Sequence, residues 1–427
     1  MADISIADSG AATEAPLSRR ERARALFAAY PRAVWMMALC NLILWTGRGI
    51  VIPFVVIYFS QIVGISASIV GAGIAASGLG GIAFVMLVAG QIDRRGGRPV
   101  LLACMSVLAL ATLGYPWATN IPLFLLVTVV LTFASQLYWP SSDATIASIT
   151  DPSRVAEAMS ILRVANAIGI GAGGFIGGAL ATGGGMAEYR VVFLTSAAMV
   201  FAAAILVWRT VPAIVLPSKS ESGKHGSWND VLPDRTFLYS LVILFTLVFG
   251  FTQITMTVPA FLRAEAGIGE GTIGLLFTMN TIIVVMAQIP TTARVNKRHI
   301  SRPLALGALL WTCSFGFLLL TPSLGVPAAM AAFLAFTLGE LLFMPITAII
   351  PVRLAPMHLR GRYFSLSSVV WGGSYAFASL IGGVALDLPN PAMLWPVMMV
   401  LMLAGGLGAL RMARSDRLNP VEQPATA

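Results

Sequence analysis

The sequence predicts an all-α membrane protein of twelve transmembrane helices arranged as two pseudo-symmetric six-helix bundles. Three observations predict it: an apolar composition, twelve long apolar runs, and landmarks that recur in both halves. Of the 427 residues, 57% are hydrophobic and 11% are charged, whereas about 25% are charged in an ordinary soluble domain. A soluble globule of this size cannot bury that much apolar surface. A cytosolic enzyme, an extracellular module and a nucleic-acid binder are therefore excluded as first interpretations.

Each of the twelve apolar runs is long enough to cross about 30 Å of hydrocarbon as a helix that rises about 1.5 Å per residue. The predicted spans are residues 33–59, 69–91, 99–118, 121–147, 160–182, 191–209, 237–262, 272–290, 303–321, 326–350, 364–386 and 392–412. Because the number of spans is even, both termini lie on one side of the membrane.

The basic residues predict the orientation. If both termini are cytoplasmic, 24 of the 27 Lys and Arg residues lie in inner segments or at inner helix ends. Arg190 and Arg263 lie in outer loops, and Arg48 lies inside the first span. This bias follows the positive-inside rule and predicts a multi-pass protein of the plasma membrane. It argues against a nucleic-acid partner, because the positive charge rings one membrane face.

One long polar stretch divides six spans from six. We predict a cytoplasmic tail at 1–32, a first bundle at 33–211, a cytoplasmic linker at 212–236, a second bundle at 237–412 and a cytoplasmic tail at 413–427. Residues 1–32 lack a short apolar core before a cleavage site, so they do not resemble a signal peptide.

Landmarks of the two halves match at an offset of 203–206 residues. The pairs are Pro53 and Pro259, Gly64 and Gly267, Pro99 and Pro303, Pro140 and Pro345, and Gly177 and Gly382. An ordered series at a nearly constant offset indicates a parallel repeat of two six-helix halves.

Cysteine and histidine usage predicts neither a disulfide framework nor a metal site. The three cysteines lie in separate apolar runs, and the three histidines are far apart in polar loops, which leaves no ligand cluster. The sequence contains no Gly-Lys-Ser/Thr phosphate loop and no nucleophile–base–acid set. We predict that the protein has no cofactor and is not an enzyme.

Three motifs of the chain resemble signatures of one known family. The loop after span 2 reads Asp93-Arg94-Arg95-Gly96-Gly97-Arg98-Pro99, similar to the signature Gly-x-Leu-Ala-Asp-Arg-x-Gly-Arg-Arg-Pro of the major facilitator superfamily. The Gly-rich run from Gly169 to Gly178 in span 5 resembles the antiporter signature Gly-x-x-x-Gly-Pro-x-x-Gly-Gly, with Gly174 where proline is usual.

Span 10 carries Gly339-Glu340 and Pro345, and Leu354-Ala355-Pro356 follows it. That pattern is similar to the twelve-helix drug/proton antiporter branch and to the peptide/proton symporters. The symporters carry a Glu-x-x-Glu-Arg motif in helix 1, and span 1 has no Glu. The resemblance implies the superfamily fold, a central cavity lined by helices 1, 4, 7 and 10, and transport by alternating access.

Two ionisable residues are predicted near the bilayer midplane, where charge is costly and usually functional. Glu340 in span 10 is the predicted proton-coupling residue; the alternative is a buried structural acid. Arg48 in span 1 is predicted to bind an anionic or polar group of the substrate. The alternative is a structural partner for Glu340 or for carbonyls freed by Pro53.

Other polar and aromatic residues of the spans complete the predicted sites. Asp143 in span 4 is a second candidate for proton coupling, although its position closer to the cytoplasm favours an inner gate. The remaining predicted substrate-binding residues are Asn41, Gln136, Asn166, Gln253, Asn280, Trp371 and Tyr375. Helix–helix hydrogen bonds and ordinary aromatic packing are the alternatives. The predicted cytoplasmic gate consists of Asp93, Arg94, Arg98 and Arg163, unless these charges only set the topology.

The sequence as a whole predicts a monomeric, proton-coupled secondary transporter that exports small amphipathic compounds. Its expected partners are a small-molecule substrate, protons and the lipid bilayer. Proton-linked uptake of an organic anion is the first alternative, and a non-transporting membrane scaffold is the second.

Overall fold

The structure, a computed structural model, describes residues 30–88, 90–151, 154–212, 231–297, 299–356 and 359–418. Most of the predicted cytoplasmic tails and of the linker 212–236 lies outside the described residues. Twelve described helices are long and apolar enough to cross a membrane, which confirms the predicted fold class.

The twelve helices follow the predicted spans closely. Their bounds are α1 (Arg32–Ile62), α2 (Ala67–Val88), α3 (Gly97–Trp117), α4 (Ile121–Ile149), α5 (Val155–Ala181), α6 (Met186–Thr210), α7 (Arg235–Met256), α8 (Glu270–Asn296), α9 (Ser301–Leu319), α10 (Val326–Leu354), α11 (Arg360–Leu386) and α12 (Leu394–Arg411). We call the side of the bundle that holds both ends of the described chain the termini side, and the opposite side the far side.

Helix packing repeats from the first half to the second. In the first half, α1 packs on α5 and α6, α2 packs on α4, and α3 packs on α4 and α6. In the second half, α7 packs on α11 and α12, α8 packs on α10, and α9 packs on α10 and α12. Each pair therefore has a counterpart six helices later, which confirms two pseudo-symmetric six-helix bundles.

The paired landmarks produce the same local backbone in both halves. Pro53 interrupts α1 with a 3₁₀ turn, Ile52–Phe54, and Pro259 lies in the short helix Val258–Ala266 that follows a break at Thr257. Gly64 and Gly267 both adopt a positive φ, 83° and 62°, which glycine tolerates without steric cost. The next residue in each half donates its amide to a carbonyl six residues earlier, Ile65 to Phe59 and Ile268 to Leu262.

The two halves meet through two symmetric helix pairs, α2 with α11 and α5 with α8. Glycines permit this contact. A Cβ on Gly71 of α2 would lie 2.1 Å from the Ser379 oxygen of α11, and one on Gly178 of α5 would lie 2.9 Å from the Gly274 Cα of α8. Small residues let helix backbones approach closely within membranes. The outward surface carries exposed apolar side chains such as Leu87 and Ile289, as a helix bundle in lipid requires.

Candidate functional site

Glu340 lies at the middle of α10, fourteen residues from each end of that helix. Its side chain is half-buried. Asn280 of α8 donates one hydrogen bond of 2.8 Å to the Glu340 carboxylate and another of 3.0 Å to the Thr337 hydroxyl. Two helices of the second half thus hold an acid at mid-depth, and no cation forms an ion pair with it among the described residues.

Arg48 lies at the middle of α1, sixteen residues after Arg32 and fourteen before Ile62. It is half-buried. Within the described chain its guanidinium makes no hydrogen bond or ion pair. The side chains of Tyr115 and Tyr375 lie within electrostatic range of it, and Glu340 does not. The alternative in which Arg48 pairs with Glu340 therefore has no contact to support it in this conformation.

Asn41 is only 3% exposed and contacts α4. Its side-chain oxygen accepts a hydrogen bond from the Tyr138 hydroxyl. Trp45, one turn further along α1, packs on the rings of Tyr138 and Trp139 at centroid distances of 6.2 and 5.1 Å. Asn41 thus joins α1 to α4 and is not open to a solute in this conformation.

The polar residues of α4 and α5 lie in different surroundings. Gln136 is half-buried and lies beside Gly81 of α2. Asp143 is exposed and within electrostatic reach of Arg163 on α5. Asn166 is 8% exposed, and its side-chain oxygen has no hydrogen-bond partner among the described residues.

Gln253 and the aromatic residues of α11 differ in exposure. Gln253 is fully buried and donates to the Ala378 carbonyl, 3.2 Å away, so it joins α7 to α11. Trp371 is half-buried and packs against Phe251 at a centroid distance of 5.8 Å. Tyr375, one turn further along α11, is 39% exposed and lies within electrostatic range of Arg48 of the other half.

The predicted cytoplasmic gate contributes one described contact. The Arg98 guanidinium donates to the Trp208 carbonyl of α6 at 2.5 Å, a contact within the first half. Arg94 and Arg163 are exposed, and the side chain of Asp93 lies outside the described residues. The ion-pair latch between these residues stays a prediction.

The far side carries an ion-pair network that joins the two halves. Arg263 forms an ion pair of 2.6 Å with Glu270, the first residue of α8. It also donates to the Gln61 side chain at 3.0 Å and to the Gly184 carbonyl at 3.2 Å, both in the first half. Tyr189 of α6 donates to Glu270 at 3.1 Å. We call these five residues the far-side network.

A second far-side contact lies at the symmetry-related position. Asp387, which follows α11, accepts hydrogen bonds from the backbone amides of Ala67 and Ser68 at 2.9 and 2.8 Å. These amides lie at the N-terminus of α2, where the positive end of the helix dipole stabilises a negatively charged side chain. Asp387 of the second half thus caps helix α2 of the first half. Hydrogen bonds therefore join the halves on the far side at both helix pairs, α2 with α11 and α5 with α8.

On the termini side, Asp234 joins α7 to the C-terminal segment. It accepts hydrogen bonds from Arg417 at 3.0 and 2.9 Å, from the Tyr363 hydroxyl at 2.8 Å and from the Phe237 amide at 3.1 Å. Burial acts to raise the pKa of Asp234, but these donors and the Arg417 charge outweigh it and lower that pKa below its usual value. Hydrogen bonding to Asp234 raises the pKa of Arg417.

A family model and curated relatives agree with this architecture. The model described as Major Facilitator Superfamily matches residues 37–379 and 241–426. The chain belongs to the Major Facilitator Superfamily. Its members are transporters, so this membership confirms the prediction that the protein is a transporter and not an enzyme.

Relatives within the superfamily carry three kinds of name. The chain is 26% identical over 351 residues to an uncharacterized transporter of this type, YqjV, from Bacillus subtilis, covering 79% of this chain and 82% of YqjV. It is 25% identical to the multidrug resistance protein MdtH of Aeromonas hydrophila, covering 82% and 87% of the two chains. It is 23% identical to a Na⁺, Li⁺, K⁺/H⁺ antiporter of Planococcus maritimus, covering 80% and 86%.

A solved structure of the superfamily shares the fold. The nucleoside transporter NupG, in a mutant form, superposes with a TM-score of 0.73 over 89% of this chain and all of that chain, at 12% identity. At this identity the similarity concerns the fold alone.

Some residues of the candidate sites were predicted from the sequence, and others were found only in the structure. Glu340 and Asn280 were predicted separately, and the structure brings them into contact. Gln61, Tyr189, Glu270 and Asp387 were not singled out. Each lies near a helix end, where polar and charged residues are common, so only their convergence between the halves distinguishes them. The opposite charges of Arg263 and Glu270, seven residues apart across the α7–α8 turn, are the one local signal.

Proposed function

We propose that the protein is a proton-coupled exporter of small amphipathic compounds that works by alternating access, with both termini in the cytoplasm. The observation that carries the proposal is the position of Glu340 at mid-depth, half-buried and hydrogen-bonded by Asn280. A carboxyl group there can bind a proton in one conformation and release it in the other, because its surroundings change when the halves move.

The closed far side supports the same cycle. In this conformation the far-side network and the Asp387 cap join the halves, so the route to the centre from that side is blocked. Release of these contacts, with closure of the termini side, would expose Glu340 to the outside. We therefore propose that the structure represents the conformation in which exchange with the outside is prevented.

Proton entry supplies enough free energy for useful export. One proton that moves inward across 100 mV releases about 2.3 kcal/mol, and half a pH unit adds about 0.7 kcal/mol. Together they support a roughly hundredfold gradient of a neutral solute. The names of two relatives, a multidrug resistance protein and a cation/H⁺ antiporter, agree with this class of function.

Transport by purified protein in liposomes tests the proposal. A panel of toxic amphipathic compounds identifies a transported solute, and an imposed pH gradient then drives its uptake into inside-out vesicles. We expect Glu340→Gln to lose proton-driven accumulation by at least tenfold while it still exchanges labelled for unlabelled solute. The matched control is Glu265→Gln, because Glu265 is an exposed acid of the same half. Proton-driven accumulation by Glu340→Gln equal to that of the wild type would refute the assignment.

Uptake of an organic anion together with a proton is the second candidate, because Arg48 lacks a partner among the described residues. The direction of solute movement in intact cells separates the two. An exporter lowers the internal concentration of its solute when energy is supplied, and an uptake carrier raises it.

A further inference from the structure

The positive charge of Arg48 is unbalanced at mid-depth of the membrane. A cation at this position is costly, and structural cations in such segments pair with acids or backbone carbonyls. Arg48 has neither kind of contact within the described residues. Its nitrogens are also absent from the buried atoms that lack a hydrogen-bond partner, so they reach accessible space. Arg48 therefore presents a partly accessible guanidinium without a hydrogen-bond partner among the described residues.

Two tyrosines, one from each half, lie near the Arg48 guanidinium. Tyr115 ends α3 in the first half, and Tyr375 lies in the middle of α11 in the second. Both lie within electrostatic range of Arg48, and no acid of the described residues does. Tyr115 is 3% exposed and packs in the core of the first half, whereas Tyr375 is 39% exposed. Glu340 is engaged separately by Asn280. An anionic ligand would thus meet one cation and the exposed Tyr375 hydroxyl with no competing negative charge among the described residues.

An apolar surface continues from this group along α11. Trp371 lies four residues before Tyr375, so the two rings share a helix face. Trp371 packs against Phe251 and Phe343 at centroid distances of 5.8 and 6.3 Å. Trp371 thus places an aromatic surface one helical turn from Tyr375, which lies near Arg48. A guanidinium binds a carboxylate with two parallel hydrogen bonds.

We propose that Arg48 and Tyr375 bind the carboxylate of an aromatic organic acid, and that Trp371 contacts its ring. The proposal rests on the proposed function and narrows its substrate class from amphipathic compounds to amphipathic anions. The anion site and the proton site are separate, with Arg48 on α1 and Glu340 on α10.

The charge of the solute sets the electrical behaviour of the exchange. When one proton enters and one monoanion leaves, two positive charges move inward, whereas exchange of a proton for a neutral solute moves one. Joint uptake of a proton and a monoanion moves no net charge. The voltage dependence of transport therefore reports both the solute charge and the direction of coupling.

Three compounds with one ring system test the anion site: 1-naphthoate, 1-naphthamide and 1-naphthylmethylammonium. Each is measured as uptake into inside-out proteoliposomes under a pH gradient, with or without a potassium diffusion potential. We expect the wild type to transport the carboxylate at least tenfold faster than the amide and the ammonium. We also expect a membrane potential to accelerate carboxylate transport when it drives positive charge out of the inside-out vesicle, which corresponds to entry into a cell.

Variants of Arg48 separate binding from folding. Arg48→Gln is expected to lower carboxylate transport at least tenfold, and Arg48→Lys is expected to retain part of it. Addition of 1-naphthoate should raise the unfolding temperature of the wild type in detergent but not that of Arg48→Gln. Arg190→Gln is the matched control, since Arg190 is an exposed arginine of the same half.

Two outcomes overturn the anion site. One is a wild type that 1-naphthoate does not stabilise and that does not transport it; the other is an Arg48→Gln variant that transports 1-naphthoate as the wild type does. The proposed function is judged separately by Glu340→Gln. Loss of proton coupling in Glu340→Gln with full carboxylate transport in Arg48→Gln refutes the anion site alone. Loss of carboxylate transport in Arg48→Gln with full proton-driven transport in Glu340→Gln refutes the proton-coupling assignment alone.

Discussion

Asn280 donates a hydrogen bond of 2.8 Å to Glu340, and the two residues lie on different helices, α8 and α10. The same amide nitrogen also reaches the Thr337 hydroxyl, so the rotamer of Asn280 is fixed by two acceptors. The carboxyl group held in this way has a fixed orientation in this conformation. This contact gives the candidate proton site a positioning residue.

Replacement of Asn280 should affect both stability and transport. Asn280→Ala removes two hydrogen bonds between α8 and α10, and we expect it to lower the free energy of unfolding by about 1–2 kcal/mol. It should also slow proton-driven transport about tenfold, because Glu340 loses its orientation. Thermal unfolding in detergent and uptake into proteoliposomes measure the two effects.

Gln288→Ala is the control for Asn280→Ala. Gln288 also links α8 to α10, through the Leu341 carbonyl at 3.4 Å, but it does not contact Glu340. We expect a similar loss of stability with transport largely retained. Equal transport by the two variants would show that Asn280 acts only as a helix contact.

Disruption of the far-side network should open the far side. Arg263→Gln removes the charge that pairs with Glu270 and the hydrogen bond to Gln61, so the closed conformation loses contacts that the open one does not need. A cysteine at Val56, which is 7% exposed, reports opening in a background where the exposed Cys313 is replaced by Ser. We expect a membrane-impermeant maleimide to label Val56→Cys at least tenfold faster in the Arg263→Gln variant.

Arg190→Gln, on the same side and exposed, should leave the labelling rate unchanged. If Arg263→Gln and Arg190→Gln label alike, the far-side network is not a gate.

A methyl group at the α5–α8 crossing should hinder closure. In Gly178→Ala the new Cβ would lie 2.7 Å from the Glu270 oxygen and 2.9 Å from the Gly274 Cα, so the helices must move apart. We expect a destabilisation of about 1–3 kcal/mol and a marked loss of transport. Thermal unfolding and solute uptake are the measurements.

Gly269→Ala is the matched control, because its Cβ would have no neighbour within 4 Å and its φ of −69° is open to alanine. We expect a change within about 0.5 kcal/mol. Full stability and transport in Gly178→Ala would contradict the close approach of α5 and α8.

The Asp234–Arg417 contact should stabilise the protein in a pH-dependent way. The folded state lowers the pKa of Asp234, so the contribution is complete above the unfolded value of about 4 and is lost as pH falls through the folded value. Arg417 is half-exposed, so we expect Arg417→Gln to cost only about 1 kcal/mol at pH 7. Thermal unfolding at pH 7, 5 and 3 should show the same deficit at the first two values and a smaller one at the third.

Arg414→Gln, an exposed arginine of the same segment, should show no such deficit. A deficit for Arg417→Gln that grows at pH 3 would contradict the sign of the Asp234 contribution.

The sequence alone determined the span count, the superfamily and the internal repeat. A helix in lipid must satisfy its backbone internally, so each span appears as a continuous apolar run. Pro53 and Pro259, like Gly64 and Gly267, carry fixed backbone preferences that repeat wherever the fold repeats. The same cost of burying charge in lipid singled out Glu340 and Arg48, because few ionisable residues lie inside spans.

Only the tertiary structure decided what these residues contact. Asn41, Gln253 and Asn280 are alike as uncharged polar residues in spans, yet Asn41 and Gln253 join buried helix faces and Asn280 reaches the Glu340 carboxylate. The far-side network joins Gln61 to Arg263, 202 residues away. Span periodicity shows which residues share a face of one helix, but the partner of that face depends on how all twelve helices pack. That choice arises from long-range contacts that a single sequence does not display.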